Sequence, residues 1–565
     1  MHRIEVLEQS GKARLLAALL LNALFLFFTV LIVRIGFESN DDLALAAYAD
    51  GQMAVSTAHV PYINIVLGAL LKGIYDVLGR GAAWHSFGQY TLLFVSFTAM
   101  GCVFNKRLGI LHGSLVTLVL LLFVGADAYA IINYTKTAAV CTVSGVLLLA
   151  QAQEDGGGRA ARILGIVLCL FGFMLRKMEF LPCFAVMAAL VLHRLCALPG
   201  GSMGERAKAL LRLAAPFALV LALAAGLWIV DEAAWSTERW EPYHRFDAIR
   251  VAYSDYGRPA WAEMPEEYEA LGLSETDVKM LYESNYFDPE VFSGEVLAAV
   301  TEARDRVFPA PSAGECLGLF LDKALRSFFL RPPIYGLLLM LALWLACGRR
   351  GLRDWAALLF GAGVFLLAEL YLIYRGRYGI DRVDLGLLLA VTVLLAWLLD
   401  RGRLAGERVF CTLFLLLAIG TSFFRVRGYY RTSDTEDFSE QRAAVERLLA
   451  DTEHVYLAKC DTVCDRIYSP FEPAGAGYWD RIVLLGGFDC NHPSILDNLA
   501  LYGVENPYRD CIGNEKVYLI EDDVALTLAY LREHYDPGAE AELVEPLSSE
   551  TGLSIYRIVK GGGAA

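Results

Sequence analysis

The sequence predicts a polytopic α-helical membrane protein with about eleven transmembrane helices and a small C-terminal α/β domain. Hydrophobic residues make up 56% of the 565 residues, above the roughly 45–50% that is usual for soluble proteins. They are concentrated in runs of roughly 18–23 residues, the length that crosses a hydrocarbon core. The formal net charge is −14, with the acidic residues concentrated in three polar segments. An acidic chain without a basic stripe argues against nucleic-acid binding.

The first apolar run begins after basic residues near the N-terminus, as in a signal peptide. It is longer than the apolar part of such a peptide, and no small-residue cleavage site follows, so we expect it to remain as the first span. The predicted spans are residues 13–35, 86–104, 108–125, 128–150, 162–175, 180–195, 209–230, 327–347, 354–374, 383–399 and 407–424. Segment 162–175 is short and ends at Arg176, which favours two short spans beside a polar cavity over a single kinked helix.

The stretch 60–79 decides the orientation of every later span. It contains Lys72 and Asp76, and its apolar residues favour one face. If it lies on the outer surface, the later clusters of Lys and Arg fall on the cytoplasmic side, as the positive-inside rule requires. If it crosses the membrane, all of these clusters fall outside. We therefore predict a multi-pass protein of the plasma (inner) membrane with a cytoplasmic N-terminus and an extracytoplasmic C-terminal domain.

On this topology the chain divides into four parts. They are an N-terminal transmembrane module (1–230) with a first outer loop (36–85), an extracytoplasmic helical loop domain (231–326), a C-terminal transmembrane module (327–424) and an extracytoplasmic α/β domain (425–565). In the last part, short apolar runs predict strands at 455–458, 482–485, 517–520, 542–544 and 554–559, with helices at 440–450, 493–503 and 524–535. This domain carries no motif to which we assign chemistry. Its four cysteines, Cys460, Cys464, Cys490 and Cys511, allow three disulfide pairings.

An acidic motif, Phe37-Glu38-Ser39-Asn40-Asp41-Asp42, directly follows the first span. Carboxylates at the mouth of a span are costly against lipid and are expected to face a watery pocket. Asp41 and Asp42 are therefore candidate catalytic residues, as a general base or as ligands of a divalent metal such as Mg²⁺ or Mn²⁺. The alternative is helix capping, with Asn40 as the N-cap and both aspartates in the first turn.

A cationic group is predicted on the same side of the membrane. It consists of Arg176 and Lys177 after the short span and of Arg375, Arg377 and Arg382 between the late spans. Basic residues outside run against the usual bias, and a phosphate or pyrophosphate is a natural partner for the guanidinium fork. The alternative is pairing within the protein, with Glu369, Asp381 and Asp384.

Two further residues are candidates for the same site. Glu369 lies within a span, where an ionisable side chain indicates a functional site by default. His59, in His59-Val60-Pro61-Tyr62, could bind a phosphate or an acceptor. The alternative for His59 is a turn residue ahead of a helix with Pro61 in its first turn.

Together these motifs resemble the GT-C class of integral membrane glycosyltransferases over roughly residues 1–425. The resemblance implies transfer of a sugar from a polyprenyl-phosphate donor, with inversion, to an extracytoplasmic glycan, lipid or protein acceptor in cell-envelope polysaccharide biosynthesis. It also implies that Asp41 or Asp42 activates the acceptor hydroxyl group and that the arginines hold the lipid phosphate. The His-Val-Pro sequence at His59 departs from the Lys-Pro-Pro or His-Pro forms common in that loop.

Three other functions are consistent with the sequence. A polymerase or ligase of lipid-linked glycans would place its essential residues in the large outer loop, at His244, Arg245, Arg250 and Arg258. A transporter would show internal repeats and broken helices, and no repeat is evident. A non-catalytic envelope protein is the third alternative.

Overall fold

The computed structural model describes residues 10–39, 41–53, 55–155, 158–197, 202–326, 331–377, 379–407, 416, 419–420, 439–459, 467–473, 478–547 and 552–561. Asn40, Cys460, Cys464 and most of the predicted span 407–424 lie outside these residues. The pairing of the four C-terminal cysteines therefore stays open. So does the prediction of Asn40 as an N-cap.

Helices make up most of the described chain. The N-terminal part contains α1 (Gly11–Ile32), α2 (Asp41–Asp50), α3 (Ile65–Leu78), α4 (Trp84–Leu108), α5 (Ile110–Ala130), α6 (Tyr134–Glu154), α7 (Arg159–Leu175), α8 (Lys177–Leu195) and α9 (Met203–Trp235). The middle contains α10 (Glu241–Ser254), α11 (Pro265–Ala270), α12 (Glu275–Tyr282), α13 (Gly294–Val307), α14 (Ala313–Arg326), α15 (Pro332–Cys347), α16 (Leu352–Tyr374), α17 (Asp381–Trp397) and α18 (Arg401–Gly406).

The prediction of a multi-pass helical membrane protein is confirmed. Within the described residues, α1, α4, α5, α6, α8, α9 and α16 are long and apolar enough to cross a membrane. Three shorter helices, α7, α15 and α17, occupy three more of the predicted spans. The two helices α7 and α8 are separate, because Arg176 between them has an extended backbone. The predicted break at Arg176 is thus present, and a single kinked helix is not.

Helix α3 occupies the stretch on which the predicted topology depends. Its 14 residues span only about 21 Å at 1.5 Å per residue, short of a hydrocarbon core of about 30 Å. The Asn64 side chain caps its N-terminus by accepting from the Val66 N–H, and Asp231 of α9 accepts from the Ile65 N–H at 2.7 Å. The helix is therefore fixed against the bundle by its N-terminus.

The C-terminal domain is a five-stranded mixed sheet with helices, as the sequence predicts. Its strands are β3 (Val455–Ala458), β4 (Ile482–Leu484), β5 (Val517–Glu521), β6 (Glu540–Pro546) and β7 (Ser554–Val559), in the order β4-β3-β5-β7-β6. The first three are parallel, and β7 pairs antiparallel with both β5 and β6. Its helices are α19 (Ser439–Ala450), α20 (Tyr478–Arg481), α21 (Pro493–Ala500), α22 (Pro507–Asp510) and α23 (Ala525–His534). The loop that follows the carboxyl end of β4 faces the membrane module.

A two-residue parallel pair fixes the chain between α1 and α2. Strand β1 (Gly36–Phe37) pairs with β2 (Ile131–Ile132), and the Glu38 N–H donates to the Ile132 carbonyl at 3.2 Å. Lys136, buried in the first turns of α6, forms ion pairs with Glu38 at 2.9 Å and with Asp127. These contacts hold the start of α2 beside the start of α6.

Candidate active site

A cavity of about 200 Å³ lies where the first outer loop, the late spans and the C-terminal domain meet. The residues that line it are Asp41, Ala44, Tyr62, Tyr134, Arg176, Arg250, Asp255, Arg377, Arg382, Leu484, Gly486, Gly487, Phe488 and Asp489. The structure therefore brings together four residues that the sequence singled out: Asp41, Arg176, Arg377 and Arg382. These four are separated by as much as 341 residues (382 − 41) in the sequence.

Asp41 lies in the first turn of α2 and faces this cavity. Burial raises the pKa of its carboxyl group, and the adjacent Asp42 adds to the rise. Arg382 and Arg176 oppose it, because a positive charge favours the ionised carboxylate. A carboxylate with a raised pKa that is open to a cavity is a competent general base.

Asp42 points away from the cavity and is fully buried. Its carboxylate accepts from Gln89 Nε2 at 2.6 Å and from the backbone N–H of Tyr134 at 3.2 Å. His85 Nε2 lies 3.1 Å from the same oxygen. Asp42 thus joins α2 to α4 and to the N-terminus of α6, where a negative charge is favourable. Of the two candidate catalytic aspartates, only Asp41 is placed to meet a substrate in this cavity.

Arg176 is half-buried where α7 ends and α8 begins. Its guanidinium carbon lies 4.6 Å from the ring centroid of Tyr62 and 5.4 Å from that of Tyr134. Among the described residues, no carboxylate lies within ion-pair distance of Arg176, and the same holds for Arg382. Both guanidinium groups therefore keep their donors for a ligand in the cavity.

Arg377 and Arg375 are held by the loop that follows α10. Arg377 forms an ion pair with Asp255 at 3.0 Å, and Tyr256 lies beneath Arg375, 4.7 Å from ring centroid to guanidinium carbon. Arg377 lines the cavity, whereas Arg375 does not. The side chain of Arg375 instead lines an adjoining groove.

This groove has a volume of about 470 Å³ and is mostly apolar. Its walls come from α8, α16 and α17 and include Leu181, Pro182, Val364, Leu367, Leu372 and Leu387. Three arginines, Arg176, Arg377 and Arg382, line both the groove and the cavity. An apolar passage between membrane helices therefore ends at a cluster of guanidinium groups.

Three predicted site residues lie elsewhere. Lys177 forms an ion pair with Glu232 at 3.2 Å on the bundle surface. The His59 ring stacks on Trp240 with centroids 4.0 Å apart, and its Nε2 lies 3.2 Å from the Ala234 carbonyl oxygen. His59 therefore serves packing and does not line the cavity.

Glu369, the third, is fully buried within α16 and pairs with Lys323 of α14 at 2.8 Å. Lys323 also pairs with Asp384 at 3.0 Å, and Arg331 pairs with Asp384 and Asp381. The carboxylates predicted as alternative partners of the arginines are thus engaged by other cations, and among the described residues they do not pair with Arg176 or Arg382.

The sequence did not predict the wall that the C-terminal domain contributes. Asp489, Phe488, Gly487 and Gly486 follow strand β4 and line the cavity. The one signal in the sequence was a pair of glycines directly after a buried strand, which is typical of a loop approached closely by a ligand or another chain. Arg250 also lines the cavity, but its guanidinium group is paired with Asp247 and Tyr62.

The other outer-loop residues considered for a polymerase or ligase do not line the cavity. Arg258 donates to the Tyr282 carbonyl at 2.9 Å and to Ser284, and the Arg245 side chain is exposed. His244 lies against Trp235, with ring centroids 5.7 Å apart. The cavity therefore carries no support for that alternative beyond Arg250.

The cavity offers few ligands for a divalent metal. Hard cations prefer several oxygen ligands. Of the carboxylates that line the cavity beside Asp41, however, Asp255 is paired with Arg377 and Asp489 accepts from the Tyr48 hydroxyl. Within the described part of the chain, one group of three metal-type side chains lies close enough to share an ion, Asp277, Glu533 and His534, and none of them lines the cavity. The arginine cluster, rather than a carboxylate cluster, dominates the charge.

No family model and no curated protein matches this chain. Two crystal structures of ArnT from Cupriavidus metallidurans are similar to it along most of its length. The structure bound to undecaprenyl phosphate covers 95% of this chain and 97% of its own, at 9% identity and a TM-score of 0.39. The apo structure covers 97% and 98%, at 11% identity and a TM-score of 0.40. At TM-scores below 0.5 neither likeness supports an inference about the function of this chain.

Proposed function

We propose that the protein is a membrane glycosyltransferase of the GT-C type that moves a sugar from a polyprenyl-phosphate donor to an extracytoplasmic acceptor. The observation that carries this proposal is the junction of the apolar groove with the cavity at Arg176, Arg377 and Arg382. A lipid-linked sugar phosphate combines a long apolar chain with a phosphate group, and its phosphate would lie where its tail leaves the groove.

The groove and the arginines would bind the two ends of such a donor by different forces. Apolar surface of an isoprenoid tail gains roughly 25 cal/mol for each Å² that leaves water. The phosphate gains charge-assisted hydrogen bonds from guanidinium groups, which match its oxygens bidentately. The break between α7 and α8 places Arg176 at the boundary between these two environments.

Asp41 would act as the general base. When ionised, it accepts the proton of an acceptor hydroxyl group as the hydroxyl oxygen attacks the anomeric carbon of the donor sugar. The bond from that carbon to the phosphate oxygen breaks, and its electron pair leaves with the polyprenyl phosphate. The three arginines stabilise the negative charge that develops on the leaving phosphate. A single displacement of this kind inverts the anomeric configuration.

The arginines would also perform the charge neutralisation for which other enzymes use a metal. Mg²⁺ or Mn²⁺ bound to Asp41 would occupy the proposed base and would lie among positive charges. We therefore propose that transfer does not depend on a divalent cation. Membrane lipids and the lipid-linked donor remain the proposed partners.

The test uses purified full-length protein in lipid nanodiscs, with undecaprenyl phosphate as the binding probe and polyprenyl-phosphate sugars as donors. Arg176→Gln should weaken binding of the probe at least roughly tenfold, because a charge-assisted contact contributes about 1.5–3 kcal/mol. Lys177→Gln, one residue away but outside the cavity, should leave it unchanged. Asp41→Asn should bind the probe and lower the rate of transfer roughly 100- to 10,000-fold.

Two results would contradict the proposal. One is equal binding of undecaprenyl phosphate by the wild type and by Arg176→Gln. The other is an unchanged transfer rate in Asp41→Asn. A chelator added to the wild-type reaction should leave the rate unaltered, and a loss that Mg²⁺ or Mn²⁺ restores would refute the metal-independent form of the reaction.

A further inference from the structure

The wall that the C-terminal domain contributes to the cavity is the loop Gly486–Asp489, here called the β4 loop. It follows Leu484, the last residue of the edge strand β4. In open sheets with parallel strands, ligands bind in the crevice outside the carboxyl ends of the strands. The β4 loop lies at such an end, and four of its residues line the cavity.

Contacts from the outer-loop segment hold the β4 loop in place. The Gly487 N–H donates to the Tyr286 hydroxyl at 3.2 Å, and the Tyr243 hydroxyl donates to the Phe488 carbonyl at 2.9 Å. Gly487 has a φ of +76°, a left-handed conformation that only glycine adopts without strain. Two hydrogen bonds therefore tie the β4 loop to the segment 231–326.

Asp489 is the charged residue of the β4 loop. Its side chain is 3% exposed, and the Tyr48 hydroxyl donates to one of its carboxylate oxygens. Tyr48 belongs to α2, the helix that carries Asp41. The Asp489 side chain also lines the cavity, where its carboxylate can accept a hydrogen bond from a ligand. A carboxylate that is almost wholly buried and yet meets a cavity therefore points to a ligand with hydrogen-bond donors.

The position of Asp489 relative to the groove indicates which ligand this is. The groove shares Arg176, Arg377 and Arg382 with the cavity but no residue of the C-terminal domain. A donor entering through the groove would meet the arginines and leave the β4 loop to the second substrate. Phe488 and Tyr62 lie beside Asp489 on the cavity wall, their ring centroids 5.5 Å apart.

We propose that Asp489 and Phe488 form the acceptor subsite and that the acceptor presents a neutral, hydroxyl-rich group, that is, a carbohydrate. A carboxylate accepts hydrogen bonds from hydroxyl groups, and it repels an anionic acceptor once the phosphate of the donor has paired with the arginines. Aromatic rings pack against the apolar faces of sugar rings. This inference rests on the proposed function, because it assigns the second substrate of the same reaction.

The surroundings of Asp489 add a pH dependence to this proposal. Burial raises the pKa of Asp489 to about 7, and Asp41 and Asp247 add to the rise, whereas Tyr48 and Arg250 oppose it. Only the ionised carboxylate accepts through both oxygens. Acceptor affinity should therefore fall as the pH is lowered through about 7.

The experiment measures binding of methyl glucoside and of glucuronate, by saturation-transfer NMR, to full-length protein loaded with undecaprenyl phosphate. The wild type should bind the neutral glycoside and bind glucuronate more weakly. Asp489→Asn and Asp489→Ala should each bind the neutral glycoside at least roughly tenfold more weakly than the wild type does. Asp523→Asn, which removes an exposed acid of the same domain, should lose none. Asp489→Asn keeps the shape of the side chain and covers the case in which Asp489→Ala fails to fold.

A purely structural role for Asp489 predicts a different pattern. If Asp489 only holds Tyr48, then Tyr48→Phe should weaken glycoside binding as much as Asp489→Asn does, and this outcome overturns the proposal. Three other results would also overturn the proposal. Asp489→Asn and the wild type could bind the glycoside equally, the wild type could bind no glycoside, or the wild type could bind glucuronate as tightly as the glycoside. A wild type that fails to bind undecaprenyl phosphate contradicts the proposed function itself, so the two failures are distinguishable.

Discussion

Asp41 and Asp42 are neighbours in the sequence, yet their side chains have opposite surroundings. Asp42 is enclosed by Gln89, His85 and the Tyr134 N–H, whereas Asp41 faces the cavity and its arginines. The first turn of a helix turns successive side chains by about 100°, so adjacent acids need not share a function. A single acidic pair therefore supplies one aspartate that binds the N-terminus of α6 and one that faces the cavity.

The surroundings of Asp41 lead to a prediction for the pH dependence of transfer. Burial raises the pKa of Asp41, so the base becomes protonated, and transfer is lost, at a higher pH than for an ordinary aspartate near 3.9. Arg382 is the strongest of the charges that hold this pKa down. Arg382→Gln should therefore move the acid limb of kcat/KM against pH to higher pH.

The measurement is kcat/KM for the donor, at saturating acceptor concentration, as a function of pH over the acid range. It is made for the wild type and for Arg382→Gln. Arg375→Gln is a matched control, because Arg375 lines the groove and is not one of the main charges that shift the pKa of Asp41. An acid limb that stays in place in Arg382→Gln, or moves to lower pH, would show that Asp41 is not the group that titrates.

Sequence reasoning found the arginines because a charge beside an apolar span is costly and therefore informative. It could not separate Asp41 from Asp42, because the separation depends on Gln89 and Tyr134, which tertiary packing brings to Asp42. It missed Asp489 for the same reason. The contact that places Asp489 joins it to Tyr48 across 441 residues of sequence.

At the scale of elements, the close packing of α6 against α7 positions Arg176. A Cβ atom on Gly172 would lie 2.8 Å from the Ala138 carbonyl oxygen and would also meet the Thr142 hydroxyl. Small residues allow this approach, as they do between membrane helices in general. Arg176 follows one turn later, and its N–H donates to the Gly172 carbonyl at 3.1 Å. The C-terminal end of α7, where Arg176 lies, is thus hydrogen-bonded to Gly172, the residue at which α7 packs closely against α6.

We expect Gly172→Ala to lower both the thermal stability of the protein and its affinity for undecaprenyl phosphate, because α7 must move away from α6 and takes Arg176 with it. Overpacking of this kind costs about 1–3 kcal/mol. Gly226→Ala in α9 is the matched control, since nothing lies within 4 Å of a Cβ atom there. Thermal unfolding and probe binding of both variants provide the measurement. Equal affinity in Gly172→Ala and Gly226→Ala would mean that this contact does not position Arg176.

The sequence predicted the strands and helices of the C-terminal domain but not the contribution of this domain to the cavity wall. Strands β3 and β7 have the predicted bounds, because each is a short apolar run between turn residues. The spans were predicted from length and apolarity in the same way. Neither pattern contains information about which face of the domain contacts the membrane module. The part of the cavity wall that includes Asp489 could therefore not be predicted from the sequence.

For the whole molecule, the proposed reaction depends on which side of the membrane the cavity faces. The positive-inside rule predicts that Met203, the first residue of α9, is cytoplasmic and that the C-terminal domain is outside. The Met203 side chain is 90% exposed and that of Glu505 in the C-terminal domain is 91% exposed. Both positions are therefore suitable for labelling once the exposed native thiol of Cys196 has been removed.

In a Cys196→Ser background, Glu505→Cys should react with a membrane-impermeant thiol reagent in intact cells, and Met203→Cys should react only after the membrane is opened. The parent Cys196→Ser protein, carried through the same steps, accounts for labelling of the other thiols. The reverse pattern would place the cavity, the arginines and the β4 loop in the cytoplasm. Because a nucleotide-linked sugar would then be as accessible as a lipid-linked one, that result would remove the reason for a donor that enters through the groove.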